Sequence, residues 1–370
     1  METDETAVPY DVAILGGGPA GAATALALAG SAARVALVEQ SRYETVRIGE
    51  TFAPGIQTTL AGLGVWESFT ASERLPSYGV RSFWGNPAGS EQSFLFNPFG
   101  TGWHVDRRSF DAALCAAAEH HGVHVLRGVR LTACERLRPS LWSLRLAAGS
   151  GESLSLHARF VVDATGRAAS LARRLGAVRQ AVDAQIAIAG HFLVSSSAVA
   201  AEQDHFTLIE AVADGWWYTA PLPGQGVVAA FLTDPDLAPA PGGRTAEAWI
   251  RRLAAAPRTA ARLSGHDLRG PLRTLSASSA RTLPVTGDGW LAVGDAAFAF
   301  DPLSGDGVDR ALRAGRSAAT ALAAEDRSAA LKTYSTEQED LFVAYCRQRT
   351  AFYSREQRWP DCSFWARRAA

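Results

Sequence analysis

The chain has 370 residues, 47% of them hydrophobic and 20% charged, with Lys+Arg 36 against Asp+Glu 37. That length predicts two or three folding units, and that balance excludes a disordered or fibrous chain. A net charge of −1 argues against general nucleic-acid binding, which needs surplus cations to displace counterions.

Residue types narrow the chemistry further. Lys332 is the one lysine and every other basic residue is arginine, so no mechanism can draw on a lysine in the N-terminal half. Cys115, Cys134, Cys346 and Cys362 lie far apart with no CxxC pair, so no metal site is expected. Residues 1–9 lack a charged-then-apolar leader pattern. No apolar run approaches the about 20 residues of a membrane span. A cytoplasmic protein with reduced thiols is the expectation.

Residues 10–15, Tyr-Asp-Val-Ala-Ile-Leu, read as a buried strand. Gly16, Gly17, Gly18, Pro19, Ala20 and Gly21 follow, then an alanine-rich helix to Ala29 and a second strand over 34–39 that ends in Glu39, with Gln40 after it. The GxGxxG spacing has a physical reading. Gly16 permits the tight turn, Gly18 lets the backbone approach a pyrophosphate, and Gly21 lets helix and strand pack closely. The helix N-terminus stabilises phosphate charge, and Glu39 can accept from ribose hydroxyls.

Arg47-Ile48-Gly49-Glu50 comes next, and then an aromatic-rich stretch with Tyr78, Phe83, Trp84, Phe94, Phe96, Phe99 and Trp103. Residues 103–114 carry an Arg-x-x-Phe-x-x-x-Leu helix start at Arg107. Residues 160–167 read as a strand entering a turn. Strand-like runs follow at 184–194, 205–213, 215–221 and 226–233, with turn signals at Asp214-Gly215, Pro223-Gly224 and Pro239 to Gly243. Alternation along 215–221 sends Trp216 and Tyr218 to one face and Trp217 to the other. Such aromatics either pack a sheet core or line a pocket for an indole or phenol. Residues 290–295 form another strand ending at Gly294-Asp295, and 301–309 lead into a helix from Arg310 to about Ala324.

These segments, in this order, resemble the glutathione-reductase-type FAD fold of single-component aromatic hydroxylases and flavin-dependent halogenases. The resemblance implies an α/β protein: a Rossmann-like FAD-binding domain (1–77, 104–178 and 281–325), an inserted, mostly antiparallel substrate domain (78–103 and 179–280), and a C-terminal helical segment (326–370). It implies FAD contacts from Gly16, Gly18, Pro19, Ala20, Gly21, Glu39, Gln40, Arg47, Ile48, Gly49, Arg107, Asp295, Pro302, Gly305, Gly307 and Val308. In that family the turn before the last helix places backbone N–H groups at the flavin pyrimidine edge, where they stabilise negative charge; here that falls on Gly305, Gly307 and Val308. Asn is usual where this chain has Asp309.

No side chain is assigned as acid or base; His191, on a strand of the substrate domain, is a candidate. The implied chemistry is oxygen transfer from a flavin C4a-hydroperoxide, using molecular oxygen. No second nucleotide-binding motif is present, so electrons come from NAD(P)H directly or from reduced flavin supplied by a flavin reductase.

Two features refine the resemblance. Halogenases of this type rely on an active-site lysine and a Trp-x-Trp-x-Ile-Pro motif, whereas this chain has Gly215-Trp216-Trp217-Tyr218-Thr219-Ala220-Pro221 and no lysine before Lys332. Residues 352–368 carry Tyr-x-x-Glu-x-Arg-Trp-Pro-x-x-x-Phe-Trp-x-Arg-Arg, which resembles the LodB/GoxB-like flavoproteins that oxygenate a tryptophan within a polypeptide. The implied partner is an aromatic substrate, in a precursor peptide or protein or as a free small molecule; a maturation chaperone is the alternative outside catalysis. The tail arginines either hold such a peptide or stand in water while the tail aromatics pack.

Overall fold

Strand 10–15 lies at the centre of the first sheet because both its faces are apolar, and a strand covered on both faces pairs in parallel. The computed structural model describes residues 8–45, 47–149, 151–195, 204–238 and 245–369. Val46 and the turn signal at Pro239 to Gly243 fall outside them.

In the first sheet, strands Trp290–Ala292, Ser153–Asp163, Tyr10–Leu15, Val35–Glu39 and His124–Arg127 run parallel in that spatial order. Val12 sits between Val35 and Phe160. The hairpin Val129–Arg138 and Leu141–Ala148 adds antiparallel strands through Ser153–Asp163. Helix Pro19–Ala29 packs against helix Gly307–Ala323. Their approach is close enough that a Cβ on Gly315 would stand 2.5 Å from the Ala20 carbonyl oxygen. This last helix begins at Gly307, three residues before the predicted start at Arg310. The Gly-Asp-Gly run reads as a turn, yet its second glycine already adopts helical backbone.

The second sheet is mostly antiparallel. Its order is His266–Ser276, Ile186–Val194, Gly226–Thr233, Gly215–Leu222, Phe206–Val212, Gly79–Phe83 and Ser90–Ser93, and only the Phe206–Val212/Gly79–Phe83 pair is parallel. The hairpin expected at Asp214-Gly215 forms one residue earlier: Ala213 and Asp214 make the turn, and Gly215 already pairs with Val212. Alternation holds: Trp216 packs with Trp84, Tyr353, Phe364 and Trp365 on one face, and Trp217 packs with Phe231 and Trp249 on the other. A smaller sheet pairs Thr51–Phe52 and Leu75–Ser77 with Gly102–His104.

Two helices close the chain, Arg327–Tyr353 and Ser363–Ala369. They lie against the Trp216 face of the second sheet and against the loop that precedes Gly307. Among the described residues no helix is long and apolar enough to cross a membrane, and all four cysteines are free.

Candidate active site

The glycines of the first turn divide by what surrounds them. A Cβ on Gly16 would stand 2.1 Å from the Ala164 carbonyl oxygen, and one on Gly21 would stand 1.9 Å from the Gly16 oxygen. Gly16 also has φ +111, a left-handed conformation that favours glycine. A Cβ on Gly18 would meet no protein atom within 4 Å. Gly16 and Gly21 are therefore required by packing, whereas Gly18 opens onto the cleft at the start of the helix. Gly18 is the N-cap and provides no side-chain cap, and Pro19 occupies the first turn. The N–H groups there remain free to bind an anion. Gly305 and Gly307 show the same open cradle, and helix Gly307–Ala323 likewise lacks a side-chain cap. This set of open glycines at two uncapped helix starts leaves room for a nucleotide cofactor such as FAD.

Between the two starts runs a chain of ion pairs. Glu39 is buried at the end of its strand, and its oxygens accept the Gly17 N–H at 2.7 Å and the Ser41 N–H at 2.9 Å. Arg47 bridges Glu39 at 3.1 Å and Asp111 at 2.7 Å. Arg107 donates to both oxygens of Asp111 and to the Ile48 carbonyl at 2.8 Å. Arg107 is buried, so it is not a solvated helix-start residue; it fastens the Ile48–Gly49 segment to its own helix. Asp111 was not singled out in the sequence, although its position four residues after Arg107 on a helix face is the spacing that allows the pair. Behind the phosphate turn, the Tyr43 hydroxyl donates to the Gly17 carbonyl at 2.9 Å. Gln40 is exposed.

At the second helix start, a Cβ on Gly49 would stand 3.8 Å from the Val308 side chain and 2.8 Å from Arg107 Nη1. The structure thus brings Ile48, Gly49, Arg107 and Val308 together. Asp295 pairs with Arg167 at 3.3 Å, and Arg167 also donates to the Phe300 carbonyl. Asp309 accepts from Thr59 at 2.5 Å and pairs with Arg313 at 3.0 Å, which gives the acid its own role where Asn is usual.

The loop before Pro302 is held from the C-terminal tail. Asp301 is buried; its carboxylate accepts from Tyr353 at 2.8 Å and from Arg349 at 3.3 Å, while its N–H donates to the Tyr345 hydroxyl at 2.7 Å. Arg368 bonds Asp234 at 2.6 Å, and Arg358 bonds Glu356 at 2.5 Å. Arg349 and Arg368 are internal, which corrects for those two the expectation that the tail arginines stand in water or await a peptide; Arg347, Arg355 and Arg367 are exposed. The acids that hold Arg349 and Arg368, Asp183, Asp301 and Asp234, are scattered through the sequence, so spacing alone gave no sign of them.

The ten aromatics of the substrate segments do not form one pocket. Trp103 packs with Trp66 and Phe69 beside the first sheet, Phe96 is exposed, and Trp217 lies on the far face. Trp84, Trp216 and Tyr218 join Tyr353, Trp359 and Trp365 in a cluster that also contains Ile48 and Leu303. The tail thus packs its aromatics against the Ile48 and Leu303 segments as a closed core, with Trp216, Tyr353 and Trp365 at most 2% exposed.

A cavity of about 130 Å³ lies beside Arg47, Glu50, Asp106, Arg107, His191 and Phe192. Burial pushes the Glu50 carboxyl up to about 7, and burial with nearby Arg108 lowers His191. His104 is also buried, which pushes it down to about 4; it contacts Thr51 Oγ1 and the His205 carbonyl. Thr51 also bonds Tyr218 at 2.9 Å.

A family model described as an FAD binding domain matches residues 9–348. The chain is 31% identical over 368 residues to LodB of Marinomonas mediterranea, by its name an FAD-dependent oxidoreductase, and the match covers 98% of this chain and 97% of that one. It is 26% identical over 372 residues to a tryptophan 2-halogenase of Chondromyces crocatus, with 96% and 69% covered. Among solved structures it resembles the flavin-dependent halogenase CmlS at TM-score 0.86 and 26% identity, with 98% and 68% covered. It also resembles the peptidyl tryptophan dihydroxylase QhpG at TM-score 0.77 and 25% identity, with 98% and 79% covered.

Proposed function

The chain belongs to the FAD binding domain family and is an FAD-dependent oxidoreductase, and from that premise we propose that it is a monooxygenase that hydroxylates the indole of a tryptophan within a peptide or protein. The observation that carries this reading is the likeness over 98% of this chain to QhpG, by its name a peptidyl tryptophan dihydroxylase, which supports a tryptophan ring as the substrate.

Bound FAD, once reduced, supplies the activation of molecular oxygen. The chain's own residues bind and orient. The first helix start would hold the phosphates, Arg47 and Arg107 would lie alongside the cofactor, and the Gly305–Val308 turn would offer N–H groups to negative charge on the flavin ring. Electrons are proposed to come from NAD(P)H or from a flavin reductase.

Halogenation is disfavoured because Lys332, the one lysine, is exposed on helix Arg327–Tyr353. A tryptophan within a polypeptide is favoured over free tryptophan by the likeness to QhpG, which by its name acts on peptidyl tryptophan.

The test is mass spectrometry after incubation with FAD, NADH, a flavin reductase and oxygen. Tryptophan is supplied free and within candidate precursor peptides, with bromide in a parallel reaction. A gain of one or two oxygen atoms on the peptide alone is expected. The same gain on free tryptophan moves the function to small molecules, and a brominated product overturns the argument from lysine. NADH oxidation without product, with tight stoichiometric binding of a partner, indicates a maturation chaperone.

A further inference from the structure

We propose that Glu50 and His191 form a proton-relay pair for ring hydroxylation, linking the segment beside the flavin to the cavity under the second sheet. The inference rests on the monooxygenase reading above.

The two residues come from different sheets and meet only in the fold. Glu50 precedes strand Thr51–Phe52, and His191 lies on strand Ile186–Val194. Glu50 is 1% exposed. Its Oε2 accepts the Gly49 N–H at 2.8 Å, which ties the carboxyl to the segment packed against Val308. Its Oε1 has no hydrogen-bond partner, and neither has His191 Nε2, 3.9 Å away. Both residues line the same cavity. Two facing orphan atoms of opposite proton affinity are costly to bury unless they exchange a proton or bind what enters between them.

The surrounding charges leave burial dominant. Arg107 and Asp106 from the same helix start act on Glu50 in opposite senses, and the Tyr218 hydroxyl faces it from the second sheet. Arg108, Asp106 and Arg273 face His191. Burial raises the acid to about 7 and lowers the imidazole, so both groups are driven toward their neutral forms. A neutral imidazole facing a protonatable carboxyl across the cavity can pass it a proton.

The reaction moves protons that such a pair can carry. The overall change takes an aromatic ArH, oxygen and reduced flavin to ArOH, water and oxidised flavin. The ring C–H bond breaks as the C–O bond forms, the O–O bond breaks, and the flavin is oxidised. One proton leaves the ring carbon and one is taken up in forming water. In the relay, His191 Nε2 takes the ring proton, Glu50 Oε1 receives it, and the Glu50 carboxyl returns a proton to the water formed. No net acid or base is consumed.

The experiment uses the FAD-loaded full chain and three variants, Glu50→Gln, Glu50→Asp and His191→Gln. Two readouts are followed against pH: hydroxylated product per NADH consumed, and the NMR titration of the His191 ring. FAD content is checked in each. Glu50→Gln is expected to lower turnover about 100-fold, flatten the limb of the pH profile near 7, and shift the His191 titration, with FAD retained. Glu50→Asp is expected to restore part of the profile. If Glu50→Gln loses FAD, His191→Gln must show the same flattened limb from the other side of the cavity.

A wild-type profile and unmoved imidazole titration in Glu50→Gln, or a wild-type profile in His191→Gln, overturns the pair. Wild-type protein that hydroxylates no ring overturns the monooxygenase reading instead, and the use of the pair falls with it. The two failures are thereby distinct.

Discussion

Gly18 and Gly21 belong to one motif and respond to different demands. At Gly18 the backbone is extended, with φ −75, and a side chain would point into open space. Gly18→Val should therefore keep a near-wild-type melting curve while losing FAD fluorescence quenching on titration. Gly21→Ala should do the reverse first: its Cβ would press on the Gly16 oxygen at 1.9 Å, and such overpacking costs about 1–3 kcal/mol, measurable by urea denaturation. Variants that behave alike would contradict the assignment of Gly18 to the cofactor.

Glu50 gives a pH dependence of definite sign. Its carboxyl rises from the ordinary 4.5 to about 7 in the folded chain, so the folded state holds a proton that the unfolded state has released. The stability of the FAD-free protein is then fully present below about 4.5 and falls as pH rises to about 7, by about 3 kcal/mol in total. Glu50→Gln removes this loss, and its stability advantage should widen between about pH 5 and about pH 8. Equal slopes in the two proteins would show that Glu50 is ionised throughout. The pairing itself was not legible beforehand: His191 stood out as a lone histidine, but only the fold carries Glu50 to it across the chain. The glycine turn was legible because backbone geometry admits few residue types at each place.

At the scale of elements, the tail is a clamp. Tyr353 donates to Asp301 and accepts from Trp216 Nε1 at 3.2 Å, all three being buried. Tyr353→Phe leaves the indole N–H and a carboxylate lone pair unsatisfied, a cost of about 1–3 kcal/mol. Faster FAD release should accompany it, because Asp301 holds the turn before Gly305. Release at the wild-type rate would separate the clamp from the cofactor. The tail motif was recognisable as residues, yet its work was not, since charge-rich stretches read as solvated faces. The acids that draw Arg349 and Arg368 inward, Asp183, Asp301 and Asp234, sit in unrelated segments. The late helix start was misplaced for a local reason: glycine beside aspartate signals a turn whether or not a helix begins there.

For the whole molecule, the clamp joins two sheets that meet few of each other's strands directly. FAD bound at 100 times its Kd adds about 2.7 kcal/mol to stability. That gain should not stay in the first sheet. Hydrogen exchange should slow in helices Arg327–Tyr353 and Ser363–Ala369 as well as around Gly18. Protection confined to the phosphate turn would mean that the two halves respond independently.

The same clamp orders events during synthesis. Strand 10–15 and the first glycine turn leave the ribosome before the loop at Asp301 and can fold ahead of it. Asp301 must wait for Tyr345, Arg349 and Tyr353, which follow it by 44, 48 and 52 residues. The nascent chain therefore carries a half-built cofactor site until those residues have emerged. Capture of FAD in its working position thus reports that helix Arg327–Tyr353 has docked.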